Sequence, residues 1–323
     1  MKTKYLFKSM LAVAGVFAAT SCSQDDLNSV SEGDLVEATF TIETPETILS
    51  RAIGDGTTVD QVCCAVFDAN ENELSDLRQY ITITNKAAQY QIRLAKGQAY
   101  RVAFFAYDKD TNAYDVTDMK NIKVLGNQAS NVEGRDAFTA KFDITPTNAA
   151  IKETITLYRP FAQLNLGAYP DDIEAARKSG VVVTNSAVTV SDVYSAFSAY
   201  DDAVVGQSAE MTFALNAIPT QELDVDLNRD RTITADEKFA YLALNYILVG
   251  DKGTPKSLTN IKFTWQTADG KTNSPVTEFD NIPVQRNYRT NIVGWLLTSP
   301  AEFNLVIDEE FINSPQMDYI EKY

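Results

Sequence analysis

Histidine is absent from all 323 residues. That excludes Ser-His-Asp and Cys-His catalysis and every histidine-ligated metal site. The chain also lacks a G-x-S-x-G elbow, a P-loop and a G-x-G-x-x-G turn. Basic residues are few: 28 Lys and Arg stand against 44 Asp and Glu, a formal charge of −16. An acidic surface repels phosphate backbones, so no nucleic-acid partner is expected. Carboxylates are so common that no pair stands out as an acid/base dyad. No enzyme is expected, and no cofactor is required. Long apolar runs are also missing. The stretch Met10–Ala19 is too short to cross a membrane. Cysteine occurs three times, at Cys22, Cys63 and Cys64. Adjacent cysteines on a strand point to opposite faces, so a bond between Cys63 and Cys64 would be strained, and both read as small hydrophobes.

What is present is β pattern. Val36, Ala38, Phe40 and Ile42 alternate with Glu37, Thr39, Thr41 and Glu43, the period of two of a half-buried strand. Pro45 ends that ladder, because it has no N–H to donate. A polar run then leads to Ser50-Arg51-Ala52 and the breaker cluster Gly54-Asp55-Gly56. One strand is thus tethered to the rest by a linker with a single basic residue, open to a trypsin-like protease. An ordinary first strand and loop fits the same pattern.

Residues 1–21 read as an export signal: Lys2, Lys4 and Lys8, then the apolar run. Ala19-Thr20-Ser21-Cys22 resembles a lipobox, which would make Cys22 a lipidated (palmitate-bearing) first residue and a membrane anchor. Ser23-Gln24-Asp25-Asp26 resembles an acidic tag for the outer face of the outer membrane. Removing the signal takes away three lysines and no acid, so the charge becomes −19. Residues 22–35 read as a polar tether.

Short strands follow at Val62–Asp68, Gln79–Thr84, Ala88–Leu94, Tyr100–Tyr107 and Ala137–Ile144, with a loop-rich stretch from Asp108 to Asp136. This spacing predicts a β-sandwich over 36–156, of which 36–51 is the removable strand and linker. The run Thr154–Ala168 reads as the crossing into a second unit, 157–323. There a short helix is expected over Pro170–Ser179, ended by Gly180. Strands are then expected at Gly180–Val183, Ala187–Val190, Met211–Ala217, Phe239–Val249, Ser257–Gln266 and Val276–Ile282. Trp265 and Trp295 lie in strand patterns and read as core.

The Asp226–Glu237 segment has the richest oxygen chemistry. Against a calcium loop, Asp226, Asn228, Asp230, Thr232 (through its carbonyl), Thr234 and Glu237 fall at ligand positions. Arg231 stands where such a loop wants glycine, and the following Lys238–Val249 reads as a strand. Calcium binding and a solvated Asx-rich hairpin loop both remain open.

The run Asn287-Tyr288-Arg289-Thr290-Asn291-Ile292-Val293-Gly294, followed by Phe303–Phe311, resembles the closing region of fimbrillin-family lipoproteins, the subunits of type V pili. Leu157–Gly167, the Cys22 lipobox and the Ser50-Arg51-Ala52 linker are similar to the same family. The resemblance implies an all-β fold of two tandem transthyretin-like β-sandwich domains, with the short helix in the second. It implies an outer-membrane surface lipoprotein that enters a fimbrium after an Arg-specific protease cuts Arg51-Ala52. Loss of Val36–Glu43 would open a groove for a strand from another pilus subunit. The alternatives are a non-polymerising lipid-anchored surface protein that binds glycan or host ligand, and an uncleaved anchor subunit. The donor segment stays open between the Phe303, Leu305, Ile307 strand and the tail 312–323, with Met317, Tyr319 and Ile320. So does a shaft or tip role.

Overall fold

The computed structural model describes residues 34–44, 54–125, 128–230, 232–250, 252–299 and 302–308, and the backbone of 320–322. The first half is built from β1 (Leu35–Glu43), β2 (Gln61–Phe67), β3 (Gln79–Thr82), β4 (Ala87–Ala95), β5 (Tyr100–Tyr107), β6 (Tyr114–Asp115), β7 (Ile122–Val124), β8 (Ala137–Ile144) and β9 (Ile151–Thr156). In the second half β10 (Ala162–Ala168) leads into helix α1 (Pro170–Lys178). Then come β11 (Val183–Val193), β12 (Ala196–Ser198), β13 (Ala203–Val205), β14 (Ala209–Ala217), β15 (Glu222–Asp224) and β16 (Lys238–Ile247). The chain closes with β17 (Lys256–Leu258), β18 (Ile261–Thr267), β19 (Thr277–Phe279), β20 (Ile282–Val284), β21 (Arg289–Gly294), β22 (Phe303–Asp308) and β23 (Ile320–Lys322). The expected all-β class with a short helix in the second half is what is found.

Four sheets stack as layers. Sheet β4-β1-β9 faces sheet β3-β2-β5-β8 across one core, where Phe40, Val62, Cys64, Tyr90, Phe104 and Phe138 meet. Sheet β15-β16-β10-β21-β22-β23 faces sheet β14-β11-β18-β19 across another, around Leu164, Val188, Phe213, Phe263 and Ile292. The inner sheets share a middle core that includes Cys63, Phe105, Phe239 and Tyr246, closed on one side by the small sheet β13-β12-β7-β6. The β2–β5 sheet is therefore buried on both faces. That explains why β2 and β5 read as near-continuous apolar runs while β1 and β4 alternate.

The two halves repeat one arrangement. β1 runs antiparallel to β4 and parallel to β9; β10 runs antiparallel to β16 and parallel to β21. Three expected boundaries moved. Ser257–Gln266 is two strands broken at Asn260 (φ 59°), and Val276–Ile282 divides at Asn281 (φ 58°). Both asparagines sit in the left-handed region, which Asn tolerates better than other side chains. Conversely, the two short strands expected in 180–190 are one long β11, which absorbs its irregularities as register shifts against β14.

Candidate functional site

β1, the strand expected to be removable, is an inner strand. Val36, Ala38, Phe40 and Ile42 are all buried, and Phe40 is completely so. β1 pairs with β4 from Leu35↔Ala95 to Glu43↔Ala87, and with β9 from Ala38↔Ile151 to Glu43↔Thr156. The Phe40 ring lies 6.0 Å from Tyr90, 5.8 Å from Phe104 and 5.9 Å from Phe142, at the centre of the outer core. Thr39 and Thr41 point the other way. They share a polar outer face with Gln89, Gln91, Lys152 and Thr154. Both ends are pinned. The Lys96 N–H donates to the Asp34 carbonyl, the Thr44 N–H to the Lys86 carbonyl and the Leu157 N–H to the Glu43 carbonyl. Without β1, strands β4 and β9 would each present a row of unpaired backbone groups, with an apolar slot between them. Burying one Phe, Ile or Val side chain there is worth roughly 1.5–3 kcal/mol.

Cys22, Arg51 and Ala52 lie outside the described residues, as do Met317 and Tyr319 of the tail. The backbone of Ile320–Lys322 is described, and it pairs with Val306–Asn304 at the edge of β22.

The chain is described again at Gly54, which is held tightly. Its N–H donates to Glu133 Oε1 at 3.2 Å, and its carbonyl accepts from Arg159 Nη2. Arg159 also grips Asp136 with two bonds of 2.6 Å, and both side chains are fully buried. The Arg159 guanidinium stacks 4.4 Å over Phe138. Burial pushes the Asp136 carboxyl up, against the pull of Arg159. Burial also pushes Glu133 up, against the Gly54 N–H. Gly54 (φ 84°) and Gly56 (φ 75°) occupy left-handed backbone. A Cβ at Gly54 would meet the Gln163 amide at 3.0 Å, and one at Gly56 the Phe138 ring at 2.9 Å. This cluster was not read from the sequence. The signal was there: Arg159 is the one charge between Glu153 and Asp171.

The resembling run becomes β21, buried along its whole length. Its polar residues are joints. The Asn287 N–H donates to the Phe161 carbonyl at 2.7 Å, and Asn287 Oδ1 accepts from the Arg159 N–H. Asn165 Nδ2 donates to Asn291 Oδ1 at 2.8 Å, and the Thr290 hydroxyl to the Pro283 carbonyl. Trp265 is buried as expected, and Trp295 is half-buried beside Tyr169.

The Asp226–Glu237 loop is organised around its last residue. Glu237 Oε1 accepts from the Leu227 and Asn228 N–H groups at 2.9 and 3.2 Å. Its Oε2 accepts from the Thr234 N–H and hydroxyl at 2.9 and 2.8 Å. Thr234 and Glu237 form a capping box on a single turn of 3-10 helix, Ala235–Glu237, and the four bonds together hold the Glu237 carboxyl below the usual range. The Asp230 N–H donates to Asp226 Oδ1 and Asn228 Oδ1, and Asp230 Oδ1 accepts from the Thr232 N–H. The six residues singled out for calcium thus share one loop, where side-chain oxygens of Asp226, Asn228, Asp230 and Glu237 accept backbone N–H bonds. Among the described residues, Asp60, Asp108 and Asp110 bring three carboxylate oxygens within 4.8 Å of one another, and Lys109 ion-pairs with two of them, Asp60 and Asp110. Cys63 and Cys64 are fully buried. Burial pushes the Cys63 thiol up to about 11 and the Cys64 thiol well above its ordinary value, so neither supplies a thiolate near neutral pH.

The chain belongs to a family of unknown function (DUF6562), whose profile matches residues 30–319. No curated protein matches it. It is similar to a solved candidate adhesin from Bacteroides thetaiotaomicron at 11% identity and a TM-score of 0.47, covering 87% of this chain and 98% of the other. It is similar to a fimbrial assembly protein from Parabacteroides distasonis at 12% identity and a TM-score of 0.42, covering 89% and 99%. A candidate cell adhesion protein from Bacteroides eggerthii matches at 12% identity and a TM-score of 0.45, covering 81% and 86%.

Proposed function

We propose that this chain is the precursor of a non-catalytic cell-surface adhesive or pilus subunit whose first strand is built to leave. The observation that carries this reading is the seat of β1. It fills the middle of a sheet and supplies Phe40 to the core centre. Its one connection to the following chain runs through residues 45–53, which contain Arg51. A cut after Arg51 severs β1 from everything that follows. The slot it leaves takes an extended strand from another subunit, through backbone bonds on both sides and apolar pockets below. Head-to-tail donation does not close on itself and yields a filament. Export as a lipoprotein through Cys22 places the uncut precursor on the outer membrane.

Digestion of the mature, non-lipidated chain with an Arg-specific protease tests this, followed by N-terminal sequencing and an unheated gel. A terminus at Ala52 with a ladder of multimers is the expected result. A terminus at Ala52 with monomers alone points to a tip subunit or a non-polymerising surface binder. No cleavage at Arg51 returns β1 to an ordinary first strand. In the producing cell, Arg51→Ala should block assembly and leave the fold intact.

A further inference from the structure

We infer that the ionic cluster around Gly54 is a clamp that divides the N-terminal region into a strand free to leave and a strap that stays. The inference rests on the reading of β1 as the detachable strand. The strap is Gly54–Thr58, an open turn with little core of its own. The Thr57 N–H donates to Asp55 Oδ1, and the Val59 N–H reaches the Gly56 carbonyl at 3.3 Å. Such a segment would fray if nothing held it.

What holds it comes from elsewhere. Glu133 and Asp136 lie just before β8, Arg159 between β9 and β10. Both backbone polar groups of Gly54 end on this cluster, and none of the bonds involves β1. Lys86 Nζ adds a bond to the Asp55 carbonyl from the turn before β4. Gln163 and Tyr246 line the other side of Gly54, close enough that no side chain fits there. The clamp therefore joins the strap to the seam between the two halves. β1 makes none of these contacts itself, and the Thr44 N–H at its end meets the cluster only through the Lys86 carbonyl, so opening stops at Gly54 and the middle core stays closed.

Native-state hydrogen exchange on the intact chain, read by mass spectrometry, tests this. Rates over 35–43 and 54–59 are taken relative to β21. Phe40→Ala should speed 35–43 by at least about a hundredfold and leave 54–59 within about threefold. Glu133→Gln should speed 54–59 by about tenfold and leave 35–43 unchanged, because it weakens a charge-assisted bond to Gly54. Arg159→Met should have the larger effect on 54–59. If it does not fold, Glu133→Gln alone still decides. Acceleration of both segments together by either Phe40→Ala or Glu133→Gln would overturn the clamp. So would 54–59 exchanging as fast in the unmodified chain as in Glu133→Gln. Neither result depends on whether a protease cuts at Arg51, which separates failure of the clamp from failure of the processing reading.

Discussion

β1 and β10 hold the same seat in their respective halves and are buried differently. Each opens its half, lies antiparallel to one neighbour and runs parallel to the other. In β1 the side chains alternate, with Phe40 inside and Thr39 and Thr41 outside; in β10 all seven residues are buried. β10 is also fixed at both ends. The Gln163 N–H donates to the Tyr288 carbonyl, and the Tyr169 N–H to the Gly294 carbonyl as the chain turns into α1. An identical topological position thus yields one strand that water already touches on one face and another that the middle core has closed over. Under the proposed function, what would let β1 leave is its outer face and its connection, not the sheet order.

Substitutions sharpen this contrast. The largest effect expected is at Phe40. Phe40→Ala should cost about 3–5 kcal/mol by urea denaturation, because the ring is fully buried against Tyr90, Phe104 and Phe142. Thr39→Ala, one residue away on the outer face, should stay within about 0.5 kcal/mol. β10 should show no such alternation. Leu164→Ala should cost about 2–5 kcal/mol, and Asn165→Ala about 1–3 kcal/mol through the orphaned Asn291 amide. A neutral Asn165→Ala, or a Thr39→Ala as costly as Phe40→Ala, would erase the difference between the two strands.

The sequence carries the difference only in part. β1 is legible because one buried face imposes a period of two. α1 is legible because Pro170 opens it and Gly180 closes it, and the structure ends it at Lys178. β10 lies within the run read as the crossing into the second unit, and its burial on both faces depends on the neighbouring sheet, which no local pattern encodes. The Asp136–Arg159 pair joins residues 23 apart in sequence through a buried geometry, so the lone charge of Arg159 hinted at a site without naming its partner. The breaks at Asn260 and Asn281 were hidden because asparagine is polar enough for a strand's outer face and is also tolerant of left-handed backbone.

The partners of the two strands differ too, and smaller effects are expected there. β4, beside β1, begins after a tight turn with Asn85 and Lys86 at positive φ. β16, beside β10, begins after the loop that Glu237 caps. Glu237→Gln should cost about 1–2 kcal/mol, as expected for losing a charged cap. The pH dependence has a definite sign. Glu237 has its folded pKa below its ordinary value of 4.5, so its contribution is full above that value and is lost as pH falls through the folded pKa. The stability gap between the original protein and Glu237→Gln should therefore narrow on acidification below about pH 4.5. A gap that is constant with pH would mean that Glu237 is not the ionised cap.

Calcium gives the smallest expected effect and the clearest choice between two uses of the same oxygens. A ligand role for Glu237 would compete with the four hydrogen bonds its two oxygens accept from Leu227, Asn228 and Thr234. Asp226, Asn228 and Asp230 each accept backbone N–H bonds through one oxygen, Oδ1. Arg231 holds the position where a calcium loop turns on glycine, and β16 begins directly after Glu237, where such a loop would continue into a helix. The melting temperature should therefore be unchanged at millimolar calcium. A rise through linkage, abolished in Glu237→Gln, would show that the loop exchanges its cap for a cation. It would then make the connection into β16 a metal-dependent feature that the turn before β4 lacks.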